Sequence, residues 1–122
     1  MLQLFSSIGM GVRLEVVFLY EPKGLERHLA SRNFTVAAEV HSGQGHGQSY
    51  SSTRFPHARV QYLHHLNGEP TPGMLSIEVV GTPRVDEDGA MESLALTIAS
   101  EYNAILYDKD TQEVLHSPRI LV

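Results

Sequence analysis

Apolar and polar side chains alternate along residues 12–21. Val12, Leu14, Val16, Phe18 and Tyr20 fall on one face, and Arg13, Glu15, Val17, Leu19 and Glu21 on the other. A period of two predicts a strand, and Pro22 ends it. Leu25, His28, Leu29 and Arg32 mark a short helix punctuated by Pro22 and Gly24. Phe34, Val36, Ala38 and Val40 then alternate against Thr35, Ala37, Glu39 and His41, which predicts a second strand with a clean inside and outside. Residues 42–58 show no period; they hold Gly43, Gly45 and Gly47 among serines and glutamines and read as a long loop. Alternation resumes over residues 59–66. Asn67 and Gly68 open a turn that the prolines lengthen, and Leu75, Ile77 and Val79 form the next strand.

The clearest pattern comes last. Met91, Leu94, Ala95, Ile98 and Tyr102 recur at i, i+3, i+4, i+7 and i+11, one apolar stripe of a helix. Asp86, Glu87 and Asp88 stand where carboxylates cap a helix N-terminus, and Asn103 suits a left-handed stop. Residues 104–107 and 113–116 read as two short strands around the turn residues Asp108, Lys109, Asp110 and Thr111.

The predicted order is β-α-β-β-β-α-β-β. It implies an α+β, ferredoxin-like antiparallel sheet with two helices on one face. Residues 1–122 read as one domain, with an N-terminal segment over 1–11 and the glycine- and serine-rich loop over 42–58. The helix-facing set would include Val12, Leu14, Val16, Phe18, Phe34, Val36 and Val40. The reverse face would carry Val17, Leu19, Ala37, Glu39, His41, Gln61, Leu63 and His65, free for solvent or a partner.

Composition narrows the functional classes. The chain has 122 residues, enough for a core without staples. Nine Lys and Arg against fourteen Asp and Glu give a net charge of −5 with no basic run, which argues against nucleic acid and suits a basic protein partner. There is no cysteine, so disulfides, thiolate catalysis and thiolate zinc sites are excluded. The N-terminal residues lack the basic start and unbroken apolar run of a signal peptide. No segment is long enough to span a membrane. A cytoplasmic location is expected.

The glycines at 43, 45 and 47 are spaced GxGxG, with no lysine after them and a strand pattern next. A phosphate cradle needs a helix N-terminus behind its glycines, so a loop that contacts a partner is the better reading. His46, Tyr50, Arg54, Phe55 and His57 are the partner-binding candidates there, since aromatic and Arg side chains anchor interfaces. Leu96 joins them, because at ~100° per residue it lies about 140° from the centre of the apolar stripe. Two other chemistries are open. Glu39, His41, Glu78 and His65 on the sheet face offer acid–base pairs for a small-molecule enzyme. His41, His46, His57 and one of His64 or His65 offer imidazole ligands for a metal, although strand neighbours 64 and 65 should point to opposite faces.

Residues 94–99, leading into 104–114 with the turn Asp108, Lys109, Asp110 and Thr111, resemble the C-terminal portion of many small bacterial α+β proteins. Some of these resemble immunity proteins that neutralise toxins delivered between competing bacteria. That resemblance implies a small, acidic, noncatalytic partner of a basic toxin domain. The expected function is accordingly protein binding of the immunity type, with no cofactor and no resident metal; the small-molecule enzyme and the histidine metal site are the alternatives, and a homodimer is also open.

Overall fold

The computed structural model describes residues 10–66, 68–81 and 85–119. The expectations for residues 1–9, for Asn67 in its turn and for the approach to the long helix at 82–83 lie outside them.

Among the described residues, seven strands, β1 (Met10–Val17), β2 (Thr35–Ser42), β3 (Gly45–Ser51), β4 (Ala58–Leu66), β5 (Glu69–Val80), β6 (Ile105–Asp108) and β7 (Val114–His116), join two helices, α1 (Leu25–Ser31) and α2 (Val85–Glu101). All neighbours pair antiparallel, in the order β2-β3-β4-β5-β1-β6-β7. The chain is α+β. The sheet holds seven strands against the four of a ferredoxin-like one, and one of the extra strands, β3, lies in the stretch expected as a loop over 42–58. Ser42 and Gly45 close a tight hairpin, with β3 filling the gap between β2 and β4. Glycines and serines, poor strand formers by propensity, are held extended by ladders on both sides.

The predicted stripe of α2 is buried. Met91, Leu94, Ala95 and Ile98 join Leu14 and Val16 of β1 and Leu75, Ile77 and Val79 of β5 in one core cluster. Leu25 and Leu29 of α1 reach the same cluster beside Val60 and Tyr62 of β4. Both helices stop on left-handed asparagines: Asn33 at φ 73° and, as the sequence suggests, Asn103 at φ 52°. Asp108 organises the last turn through Oδ1, accepting the N–H groups of Asp110 and Thr111 at 2.8 and 3.1 Å.

Three local expectations are corrected. β1 ends at Val17, and Leu19 and Tyr20 are exposed. β2 has no clean inside: Phe34 is fully buried just before it, but Val36 is 47% exposed and only Val40 is half-buried. β2 pairs on one side only, with β3, and its register slips between Val36 and Ala38, which breaks the alternation seen in the sequence. The acidic residues of α2 also act differently. Glu87 accepts the backbone N–H and the ring Nδ1–H of His57, both at 2.9 Å. Asp88 accepts the N–H of Val12 at 3.1 Å. These carboxylates tie the β3–β4 connection and the start of β1 to the positive end of the helix.

The Glu87 side chain is 3% exposed, so a buried charge depends on its two bonds to His57. Glu87→Ala leaves the His57 N–H without its acceptor. We expect a loss of about 1–3 kcal/mol, read from the urea midpoint at unchanged slope.

The reverse face of the sheet is polar. The Tyr107 hydroxyl donates to buried Glu15, and that hydrogen bond, ahead of burial, pushes the phenol up to about 12. Lys109 Nζ reaches Glu78 at 3.1 Å, and Arg13 reaches Asp110 at 2.8 Å. Between this network and β2 lies a shallow hollow of about 480 Å³ beside Arg59, Gln61 and Ser76.

Candidate functional site: a histidine cluster beside a cleft

Where β3 meets β4 the register slips. His46 faces His65, yet the next residue, Gly47, faces Leu63, so β4 carries His64 as an extra residue against β3. On its other side the β4–β5 register also shifts, between Leu63 and His65. A β-bulge of this kind re-aims side chains that strict alternation would send to opposite faces. Here it overturns the expectation for His64 and His65: their ring centroids lie 4.4 Å apart, and both line one cavity with Tyr62. His65 therefore does not sit on the reverse face with Gln61.

His46 is the hub. Its ring stacks on His65 at 4.4 Å with an interplanar angle of 9°, meets His64 edge-on at 5.7 Å, and lies 5.6 Å from His41. Burial, followed by the charges of His65 and His46, lowers the pKa of His64 below the usual imidazole value, with Glu21 opposing. The glycines belong to this arrangement. A Cβ on Gly47 would overlap the Tyr62 carbonyl oxygen, and one on Gly45 the His65 carbonyl oxygen. They let β3 lie against the bulge; they cradle no phosphate.

The cluster borders a cleft of two adjoining hollows, about 520 and 540 Å³, that share Glu21, Gln48 and Tyr62. His64 and His65 line the first, and Lys23, Glu26 and Arg27 line the second. Tyr62 forms the wall between core and cleft. Its hydroxyl donates to the Pro72 carbonyl at 2.7 Å, its ring meets Phe18 edge-on, and burial, followed by Glu21 and Tyr50, pushes its pKa up to about 12. It is a structural phenol, poor at releasing its proton near neutral pH.

The six sequence candidates do not gather in one place. His46 joins the cluster. Tyr50 is buried in the core cluster at the wall of the second hollow, its pKa raised by burial and by Glu26. Phe55 stacks on Phe34 at 6.0 Å under the Arg54 guanidinium, 5.6 Å from its ring. His57 is held by Glu87 through Nδ1, with its own side chain 35% exposed. Leu96 is 44% exposed on α2, as its wheel position predicts. Glu21, Gln48 and Tyr62 were missed, because nothing in the sequence joins residues from a turn and two strands.

Among the described residues, no three His, Asp or Glu side chains are arranged so that they could hold a metal ion as they stand. Nor is any helix among them long and apolar enough to cross a membrane. No family model, no curated protein and no solved structure matches this chain.

Proposed function

We propose that the chain is a noncatalytic protein-binding domain, and that its specific form is an immunity-type protein that masks a basic toxin domain in the cytoplasm. One observation carries the reading. β2 is an eight-residue edge strand, exposed at every position but Val40, whose only formal charge is Glu39. Edge strands offer unpaired N–H and C=O groups, and chains usually blunt them with lysine, proline or a cover. β2 carries neither lysine nor proline, and although its register slips between Val36 and Ala38, Val36 remains an exposed apolar side chain on the edge, which fits recognition by strand addition. The net charge of −5 would steer a basic partner toward it. The fold reading that accompanies this is a split βαβ unit. The spatial order β4-β5-β1-β6 supports it, with β2–β3 and β7 as additions at the two edges.

The test is affinity capture from the source cells, followed by quantitative binding of the captured protein. Val36→Arg is expected to weaken binding at least tenfold, while Ser100→Arg at an exposed position of α2 leaves it within twofold. Equal binding by the Val36 variant overturns the edge as the recognition surface, and a chain that retains no protein overturns the function.

A second reading, a small-molecule enzyme, is favoured by a separate observation: His64 and His65 share a cavity of about 520 Å³ with the Glu21 carboxylate. It predicts acid–base chemistry in the cleft, not on the sheet face.

A further inference from the structure

The bulge does more than relieve register. It brings three imidazoles into a closed triangle whose sides are 4.4 Å (His46–His65), 4.4 Å (His64–His65) and 5.7 Å (His46–His64) between ring centroids. We propose that His46, His64 and His65 form a site for a borderline divalent transition-metal ion of the zinc class, with a fourth position open toward the cavity beside Glu21.

The triangle comes close to the dimensions such an ion requires. Imidazole nitrogen binds zinc at about 2.0–2.1 Å, and roughly 1.1 Å more reaches the ring centre, so each centroid sits about 3.2 Å from the ion. Two such rings subtending roughly 90–130° at the metal, the range around tetrahedral, stand about 4.5–5.7 Å apart. The 5.7 Å side lies at the upper end of that window and the two 4.4 Å sides fall just short of its lower end.

What the rings lack is aim. His46 and His65 now lie face to face, and stacked rings do not direct their nitrogens to one point. Convergence requires turning χ2, a broad torsion for histidine. All three residues are only half-buried, so the turn needs no repacking of the core. The backbone, the costly part of a metal site, is already set by the bulge and by Gly45 and Gly47.

The surroundings suit a cation. Three neutral imidazoles leave the full dipositive charge uncompensated, and the Glu21 carboxylate lines the cavity on which the fourth position opens. His41, stacked on the far side of His46, would turn the central ring through its own contact and is a positioning residue here. A three-imidazole set with one open position is the ligand pattern of zinc sites that activate water or bind an exchangeable ligand.

The tag-free full-length chain, stripped with chelator and titrated with zinc by calorimetry, tests this. One ion per chain is expected, and cobalt substituted for zinc should give the intense visible bands of a four-coordinate site. His46→Ala and His65→Ala should each weaken zinc at least tenfold, whereas His116→Ala, outside the cluster, stays within twofold. His64→Gln, at the unpaired bulge position, is the second variant should the others lose the fold by circular dichroism, and the same tenfold loss is expected. No heat and no cobalt bands at tenfold excess of metal, or triad variants that bind like the parent chain, overturn the site. The proposal is independent of the edge-strand reading: Val36→Arg should bind zinc unchanged, so the two fail separately.

Discussion

Replacing Phe34 by alanine should destabilise the chain by about 3–5 kcal/mol, the range for emptying a fully buried aromatic site. Phe34 is completely shielded from solvent, its ring stacked on Phe55 at 6.0 Å and its N–H bonded to the Leu29 carbonyl at 2.9 Å. It therefore fills the corner where α1 ends and β2 begins, and truncation leaves Phe55 without a face to pack on. Val36, two residues on and in the same alternating pattern, is nearly half exposed, so Val36→Ala should cost less than about 0.5 kcal/mol. Urea midpoints of the two variants check the contrast. Equal losses would mean that β2 packs as the sequence pattern says and not as an open edge.

That contrast marks what the sequence could convey. Period reports which side chains share a face, but not whether anything covers that face. The stripe Met91, Leu94, Ala95 and Ile98 was legible because a long helix with one apolar side must bury it. The same logic found β1, β4 and β5, whose apolar residues join that core cluster. It failed for β2, whose alternation is as regular, because burial there depends on how far the sheet extends and on the register slip between Val36 and Ala38. Only the pairing of β2 through β3 fixes that extent, and β3 was hidden: Gly45, His46, Gly47, Gln48 and Ser49 carry no strand propensity and are ordered by the neighbouring ladders alone.

The candidate site was half visible. The candidate histidines and the GxGxG spacing both stand in the sequence, but nothing there joins them into one site. Strict alternation set His64 and His65 on opposite faces, whereas one inserted residue against β3 brings them together. A bulge is a relation between two strands, so neither strand's sequence announces it. The acidic run of α2 shows the same limit. Its position at a helix start was legible, while its bonds to His57 and Val12 needed the fold.

Gly47→Ala joins these threads. The added methyl would occupy the space of the Tyr62 carbonyl oxygen, so the backbone of β3 must move away from β4 at the bulge. Collisions with backbone cannot be relieved by a rotamer, which puts the cost near the upper end of overpacking, about 3 kcal/mol. Gly43, two turns of the same motif earlier, meets nothing within 4 Å of an added Cβ, and Gly43→Ala should shift stability by less than about 0.5 kcal/mol. Thermal and urea unfolding of the pair decide what the glycines are for. A loop that needs only flexibility would respond to both substitutions alike, and a strand seated on a bulge responds to one. Because His46 adjoins Gly47, displacement of β3 should also open the triangle with His64 and His65, so the costly variant is the one expected to lose zinc along with stability.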